Sequence, residues 1–267
     1  MAMKLPFGNR KALINVVRLD GVIGGGGRFN GPGLNDSHMA GLLHKAFHKG
    51  KPRAVALAIN SPGGSPVQSS LIGARIRRLA TETGVPVYAF CEDVAASGGY
   101  WLACSADEIY LDDSSIIGSI GVISASFGFP EMMAKYGIER RVHTAGENKS
   151  FGDPFKEQGP EDVARIKELQ RAIHQNFITH VKTCRAGRLV DEDLFTGEIW
   201  VGQAGIDKGL ADGIGHLVPT LKEKFGDKSK FNVLGQKKSF LSRFGLSMAD
   251  GVLGSVEERA QWARFGM

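Results

Sequence analysis

Apolar residues in this chain fall into short unbroken runs, separated by segments in which they recur at helical spacing. Residues 12–19 read as a buried strand that ends at Asp20-Gly21. Residues 53–59 carry Ala-Val-Ala-Leu-Ala-Ile after Arg53, the pattern of a central parallel strand apolar on both faces. Residues 85–91 predict another buried strand, and residues 108–111 a short one. Asn35 or Asp36 caps a helix that runs to about Lys49 and ends at Gly50-Lys51-Pro52. A second helix spans Pro66 to Thr83, apolar through Leu71, Ile72, Ile76 and Leu79. Residues 118–123 are apolar and punctuated by glycine, and residues 140–144 predict a further strand. The longest helix starts at Pro160 and runs to about Thr183, with Val163, Ile166, Leu169, Ile173, Phe177 and Val181 on one face. Strands alternating with helices predict an α/β fold with a parallel sheet and right-handed crossovers. No internal repeat is visible.

After about Gly226 the pattern changes. The chain turns Lys/Ser-rich, then carries Phe240, Leu241, Phe244 and Leu246 and a last helical piece through Trp262 and Phe265. Residues 1–225 therefore read as one domain and 226–267 as a C-terminal tail suited to an oligomer contact or, through Lys237-Lys238 beside those apolar residues, an anionic membrane surface.

The composition is that of an ordinary globular chain: 267 residues, 42% hydrophobic, 23% charged, with a net charge of +5. No basic stripe interleaves with aromatics, so nucleic-acid binding is not expected. Three cysteines, Cys91, Cys104 and Cys184, without a CxxC pair predict buried thiols in a reducing compartment. No segment reaches the roughly 18 apolar residues of a membrane span, and the N-terminus does not read as a signal peptide. The expected location is cytoplasmic, with peripheral contact to the inner membrane through the tail as an option.

The candidate chemistry centres on Asp93-Val94-Ala95-Ala96-Ser97-Gly98-Gly99-Tyr100. Ser97 sits among the smallest side chains, which lets a substrate backbone approach its hydroxyl. It follows a predicted strand and opens a predicted helix, whose first N–H groups are free and favour negative charge. This is not the G-x-S-x-G elbow. The local residues alone leave two readings open, a nucleophile or a helix cap. A second turn, Asn60-Ser61-Pro62-Gly63-Gly64, also follows a buried strand. In a parallel sheet the two turns share the edge where ligands bind. Gly63 has no Cβ to block approach to its N–H, so it is a candidate oxyanion donor, or simply part of a turn.

Other patterns carry less. His44 and His48 lie four apart on a helix but lack the glutamate of a metalloprotease motif, so they read as surface histidines, and no metal is expected. The run of glycines at 24–27 lacks the third glycine and the lysine of phosphate-binding loops, and reads as a flexible turn. Asp107-Glu108 and Asp112-Asp113 read as solvated strand ends, and Cys104, Tyr100 and Trp101 as packing residues. Phe127, Phe129, Met132 and Met133 read first as core, second as an oligomer contact or substrate-facing wall.

Taken in order, five pieces give the chain a family resemblance over about residues 12–220. They are Asn60-Ser61-Pro62-Gly63-Gly64, Ala95-Ala96-Ser97-Gly98-Gly99-Tyr100, Gly118-Ser119-Ile120-Gly121-Val122, Gly146-Glu147-Asn148-Lys149-Ser150, and Gly202-Gln203-Ala204 with Gly209-Leu210-Ala211-Asp212. The chain resembles the signal peptide peptidase A family of serine peptidases, in a single-length form. That resemblance implies a Clp protease/crotonase-type fold of βαβ units in a superhelical arrangement. It implies a Ser–Lys dyad with Ser97 as nucleophile, Lys149 as general base and Ser119 bonding the lysine amine. It places the N–H groups of Gly63 and Gly98 in the oxyanion hole. It implies no cofactor, hydrophobic or unfolded peptide substrates such as remnant signal peptides, and a ring-shaped homo-oligomer whose dyad is shared between subunits. The N-terminal membrane anchor common in that family is not seen here. The alternatives are an acyl-CoA-handling crotonase relative, which needs no serine nucleophile, and a non-catalytic scaffold.

Overall fold

The computed structural model describes residues 11–24, 33–190, 193–235 and 259–267. Five strands run through its centre: β1 (Leu13–Asp20), β2 (Ala54–Ser61), β3 (Val87–Ala96), β4 (Glu108–Leu111) and β5 (Ile116–Gly118). β6 (Ile199–Val201), β7 (Gly213–Ile214) and β8 (Lys230–Leu234) complete a single sheet. The main order is β6-β5-β3-β2-β1-β8, with β4 pairing β3 and β7. Every pairing is parallel except β5 with β6.

The run at the centre of the sheet alternates by size. Val55, Leu57 and Ile59 of β2 join the larger core cluster, which also holds Met39, Leu43, Ile72 and Ile76 from the helices α1 (Asp36–His48) and α2 (Pro66–Thr83). Ala54, Ala56 and Ala58 face the opposite side, under Tyr88, Phe90 and Leu221. Successive side chains point to opposite faces of a strand, so one apolar run serves two layers. α1 starts where the Asn35 side chain accepts from the His38 N–H, and α2 where Ser65 accepts from Gln68. Losing such a cap typically costs about 1 kcal/mol. α2 stops at Gly84, whose φ of 66° suits glycine.

β3 is forked. Tyr88 to Cys91 pair with β4, and Val94 to Ala96 pair with β5 on the same side. The sequence pattern ends this strand near Cys91, because Glu92 and Asp93 interrupt the apolar run. The ladder nevertheless continues to Ala96, since β5 takes over as partner. β3 then passes into α3 (Gly98–Ala103) through Ser97.

Beyond β5 the chain leaves the sheet. Residues 122–158 form an excursion that is mostly exposed, containing only the short helix α4 (Pro130–Lys135). The strand expected at 140–144 is absent: those residues have no neighbouring strand to accept their hydrogen bonds, and Val142 is exposed. Phe127 and Met132 are also exposed, at 81% and 50%, so the core reading of this segment is corrected. Phe129 packs instead on Phe155, with ring centres 5.6 Å apart.

α5 (Pro160–Cys184) leads back to the body of the fold. Its apolar face is continuous in sequence, but only Phe177 and Val181 are buried. Leu169 and Ile173 are exposed because this half of α5 lies past the edge of the core. After β6 come α6 (Gln203–Asp207) and α7 (Leu217–Phe225), the latter covering the alanine face of the sheet with Leu221.

β8 lies inside the segment 226–267. It extends the sheet beyond β1 with a five-residue parallel register, Leu13 to Lys230 through Val17 to Leu234. The sheet thus continues past residue 225 through Leu234. Phe240, Leu241, Phe244 and Leu246 lie outside the described residues, as does most of the glycine run at 24–27.

Candidate active site

The carboxyl ends of β2, β3 and β5 lie side by side. Ser61 of β2 is in register with Ala95 of β3, and Ala96 with Gly118 of β5. The residues that follow each strand therefore converge: Gly63, Ser97 and Ser119. Ser97 has φ 52° and ψ −120° and makes no side-chain cap bond to α3. The capping alternative is thereby removed. A non-glycine residue in this region costs of order 1–3 kcal/mol. The strain is held by the Ser97 N–H donating to the Gly118 carbonyl at 2.8 Å and by its own carbonyl accepting from the Trp101 N–H at 3.0 Å. A strained strand-to-helix turn is the device that lifts a serine hydroxyl out of a sheet, here built without the G-x-S-x-G motif.

The small residues around Ser97 are sterically required. A Cβ on Gly63 would lie 2.8 Å from Ser97 Cβ and 2.9 Å from the Gly98 nitrogen. A Cβ on Gly98 would meet Ser69 Oγ at 2.4 Å, and one on Gly99 the Ser61 carbonyl oxygen at 2.5 Å. Gly98 is the first residue of α3, so its N–H has no acceptor within the helix. The Gly63 N–H donates to Ser61 Oγ at 3.2 Å, near the long end for such bonds. Ser119 repeats the backbone of Ser97 at φ 51°, and is buried, with its N–H donating to the Glu198 carbonyl at 2.7 Å.

Lys149 is the predicted site residue that the single chain does not bring to this cluster. It lies exposed on the excursion, and among the described residues its amine makes no hydrogen bond or ion pair. Its neighbourhood is a turn, with the Lys149 N–H donating to the Gly146 carbonyl at 3.2 Å.

Several supporting residues escaped the sequence reading. Asn60 Nδ2 donates to Asp93 Oδ2 at 2.9 Å, and Asn60 Oδ1 accepts from the Val94 N–H at 3.2 Å. One amide thus ties the Gly63 turn to β3 just ahead of Ser97. Its place as the first residue of the 60–64 turn was the available signal. Below α3, the buried Tyr100 hydroxyl donates to the Leu210 carbonyl at 2.8 Å. The 209–212 motif also binds Arg185, only 2% exposed, whose guanidinium donates to both Asp212 oxygens and to the Gly209 carbonyl. Burial alone raises the Asp212 carboxyl, but the Arg185 bonds and the Ile109 N–H outweigh it and hold the group below the usual range.

From α5, His180 stacks on Trp101 at 4.2 Å and 7°, and its Nε2 lies 3.1 Å from the Trp101 carbonyl oxygen. Burial pushes the His180 imidazole down against the opposing pull of that bond. His174 Nε2 lies 3.0 Å from the Ile120 carbonyl oxygen, beside Ser119. The thiols are unpaired, and burial pushes Cys91 up to about 12, which suits a packing role. His44 and His48 stack at 4.2 Å. No group of three or more His, Cys, Asp or Glu residues is placed to hold a metal among the described residues. A cavity of about 320 Å³ opens on the α7 side of the sheet, lined by Phe90, Glu92, Asp112, His216 and Leu217. None of Gly63, Ser97, Ser119 or Lys149 borders it.

A hydroxyl on a strained turn, beside an unpaired helix-start N–H and a glycine turn in contact, defines a centre suited to acyl transfer. Comparison with known proteins shows the family. Residues 80–227, more than half of the chain, match the model for peptidase family S49, and the chain belongs to that family. It is 30% identical to the protease SohB of Haemophilus influenzae, over 76% of this chain and 57% of that protein. It is 48% identical to a Brucella melitensis protein named Na(+)/H(+) antiporter NhaA, over 95% of this chain but 37% of that one. No helix among the described residues is long and apolar enough to cross a membrane. The chain thus spans between about a third and just over half of these relatives. A solved structure of the 1510-N membrane-bound stomatin-specific protease with a substrate peptide shares the fold. Its TM-score is 0.52 at 15% identity, covering 92% of this chain and 98% of that one. The fold is the Clp protease/crotonase type, a mixed α/β architecture with a mostly parallel sheet.

Proposed function

We propose that this chain is a serine endopeptidase acting on hydrophobic or unfolded peptides, including remnant signal peptides, through a Ser97–Lys149 dyad. The observation that carries the reading is the strained, uncapped Ser97 packed against Gly63. In this mechanism Ser97 Oγ attacks the scissile carbonyl while its proton passes to the neutral Lys149 amine. The N–H groups of Gly98 and Gly63 receive the oxyanion, the latter turning from Ser61 Oγ. Collapse breaks the C–N bond as the lysine ammonium protonates the leaving amine. Water then attacks the acyl-enzyme, giving its proton to the lysine, and Ser97 leaves with a proton. Ser119 orients the amine without adding charge. The family match favours peptide hydrolysis over acyl-CoA chemistry or a scaffold role.

Lysine becomes a useful base near neutral pH only when burial disfavours its ammonium form. Lys149 is exposed in the single chain, on an excursion that also exposes Phe127 and Met132, and the adjoining half of α5 exposes Leu169 and Ile173. Association of copies through this excursion, closing into a ring, covers the apolar residues and delivers Lys149 to the Ser97 of a neighbour. The unpaired cysteines suit a reducing cytoplasm, and the segment beyond Leu234 is the candidate for peripheral membrane contact.

The test is complementation. Ser97→Ala and Lys149→Ala chains, each inactive alone on a fluorogenic peptide by about 10⁴-fold or more, are co-expressed with different tags and purified through both. Recovered turnover is expected, because one chain donates the serine and the other the lysine. A mixed oligomer that stays inactive, or full activity in either single variant, refutes the shared dyad.

A further inference from the structure

The excursion carrying Lys149 has a defined base. The chain leaves the sheet just after Ser119 and the fully buried Ile120. It returns along α5, whose first buried side chain is Phe177. His174, one turn before Phe177 and half-buried, bonds across this gap to the Ile120 carbonyl at 3.0 Å. A carbonyl oxygen only accepts, so Nε2 carries the proton, in the neutral ring or the cation alike. His174 therefore pins the returning helix to the outgoing segment where both meet the core. Farther along α5, Phe177 packs on Trp101 with ring centres 5.1 Å apart, and His180 bonds the Trp101 carbonyl. Those two contacts fix α5 to α3, while His174 hydrogen-bonds the Ser119–Ile120 segment.

We infer that His174 is a positioning residue: by bonding the Ile120 carbonyl it sets the direction of the arm that presents Lys149 to a neighbouring copy. The inference rests on the shared dyad proposed above. Lys149 lies near the middle of residues 121–173, far from either pinned end. From Pro160 to His174, α5 is a lever about 21 Å long, so a tilt of about 3° at its base swings the far end by about 1 Å. A misplacement of about 1 Å at reacting groups can cost 10²-fold in rate.

The test uses the tagged mixture of Ser97→Ala and Lys149→Ala chains. His174→Leu is added either to the chain that donates Lys149 or to the chain that donates Ser97. We expect kcat to fall ten- to hundredfold in the first case, with KM within twofold, and at least fivefold less in the second. His174→Gln, which keeps a donor near the Nε2 position, is expected to recover most of the loss. Equal losses from the two placements, or Gln no better than Leu, overturn the role of His174 while leaving the dyad standing. A parent mixture without activity overturns the shared dyad, and this role with it.

Discussion

Ser97 stores strain that can be measured separately from its chemistry. Ser97→Ala and Ser97→Gly both remove the hydroxyl, but only glycine adopts φ 52° and ψ −120° at no steric cost. The strain released is of order 1–3 kcal/mol. Against it stand about 0.5–1 kcal/mol for the extra freedom of glycine in the unfolded chain and about 0.4 kcal/mol for a half-buried methyl group. The balance leaves the glycine variant more stable than the alanine variant by about 1 kcal/mol. For a chain of this size that is a rise in Tm of about 2–4 °C. Urea unfolding and thermal melts at one protein concentration, with the same oligomer in both samples, give the difference directly. A glycine variant no more stable than the alanine variant refutes the claim that the β3–α3 turn is strained. It also removes the argument that the fold sacrifices stability to present this hydroxyl.

Two further outcomes follow from contacts around the site. Gly63→Ala places a methyl 2.8 Å from Ser97 Cβ at a φ of 106°, and is expected to lower kcat by about 10²-fold, the scale of a lost oxyanion donor; unchanged turnover would place the glycine turn away from the reacting carbonyl. His180 is held neutral by burial, so its contribution to stability is complete above about pH 6.5, where the unfolded imidazole is neutral too, and is lost as the pH falls toward the lowered folded value. His180→Gln should therefore flatten the stability curve below pH 6.5 by up to about 1.4 kcal/mol per pH unit, and a variant as acid-sensitive as the parent contradicts that account.

The central elements are legible from sequence because local signals agree there. β2 is an apolar run between polar ends, and α2 has Ser65, Pro66 and Gly84 at the positions where a helix starts and stops. Agreement fails where the deciding partner is distant. Residues 140–144 have the composition of a strand but no strand beside them. Leu169 and Ile173 continue a helical face that the core does not reach. β3 runs past Glu92 and Asp93 because β5 waits to pair with it, which no local pattern reveals. At the site, the glycines around Ser97 announce a close approach, but its backbone angles do not follow from residue type, since serine seldom adopts them. Gly63, Ser97 and Ser119 are united by strand register within one chain, whereas Lys149 lies exposed on the excursion, where no strand register places it.

The pairing of β8 with β1 has a consequence for synthesis. Asn232 Nδ2 donates to Asn15 Oδ1 at 2.9 Å, between residues 217 positions apart. At translation rates of about 5–20 residues per second, roughly 10–40 s separate the emergence of these two strands. Through that interval one hydrogen-bonding edge of β1 lacks its final neighbour, an open template for strands of other nascent chains. That edge of β1 is covered only when Leu234 arrives, so a ribosome that stalls before this point leaves an eight-residue strand open, where the finished sheet ends in the five-residue β8.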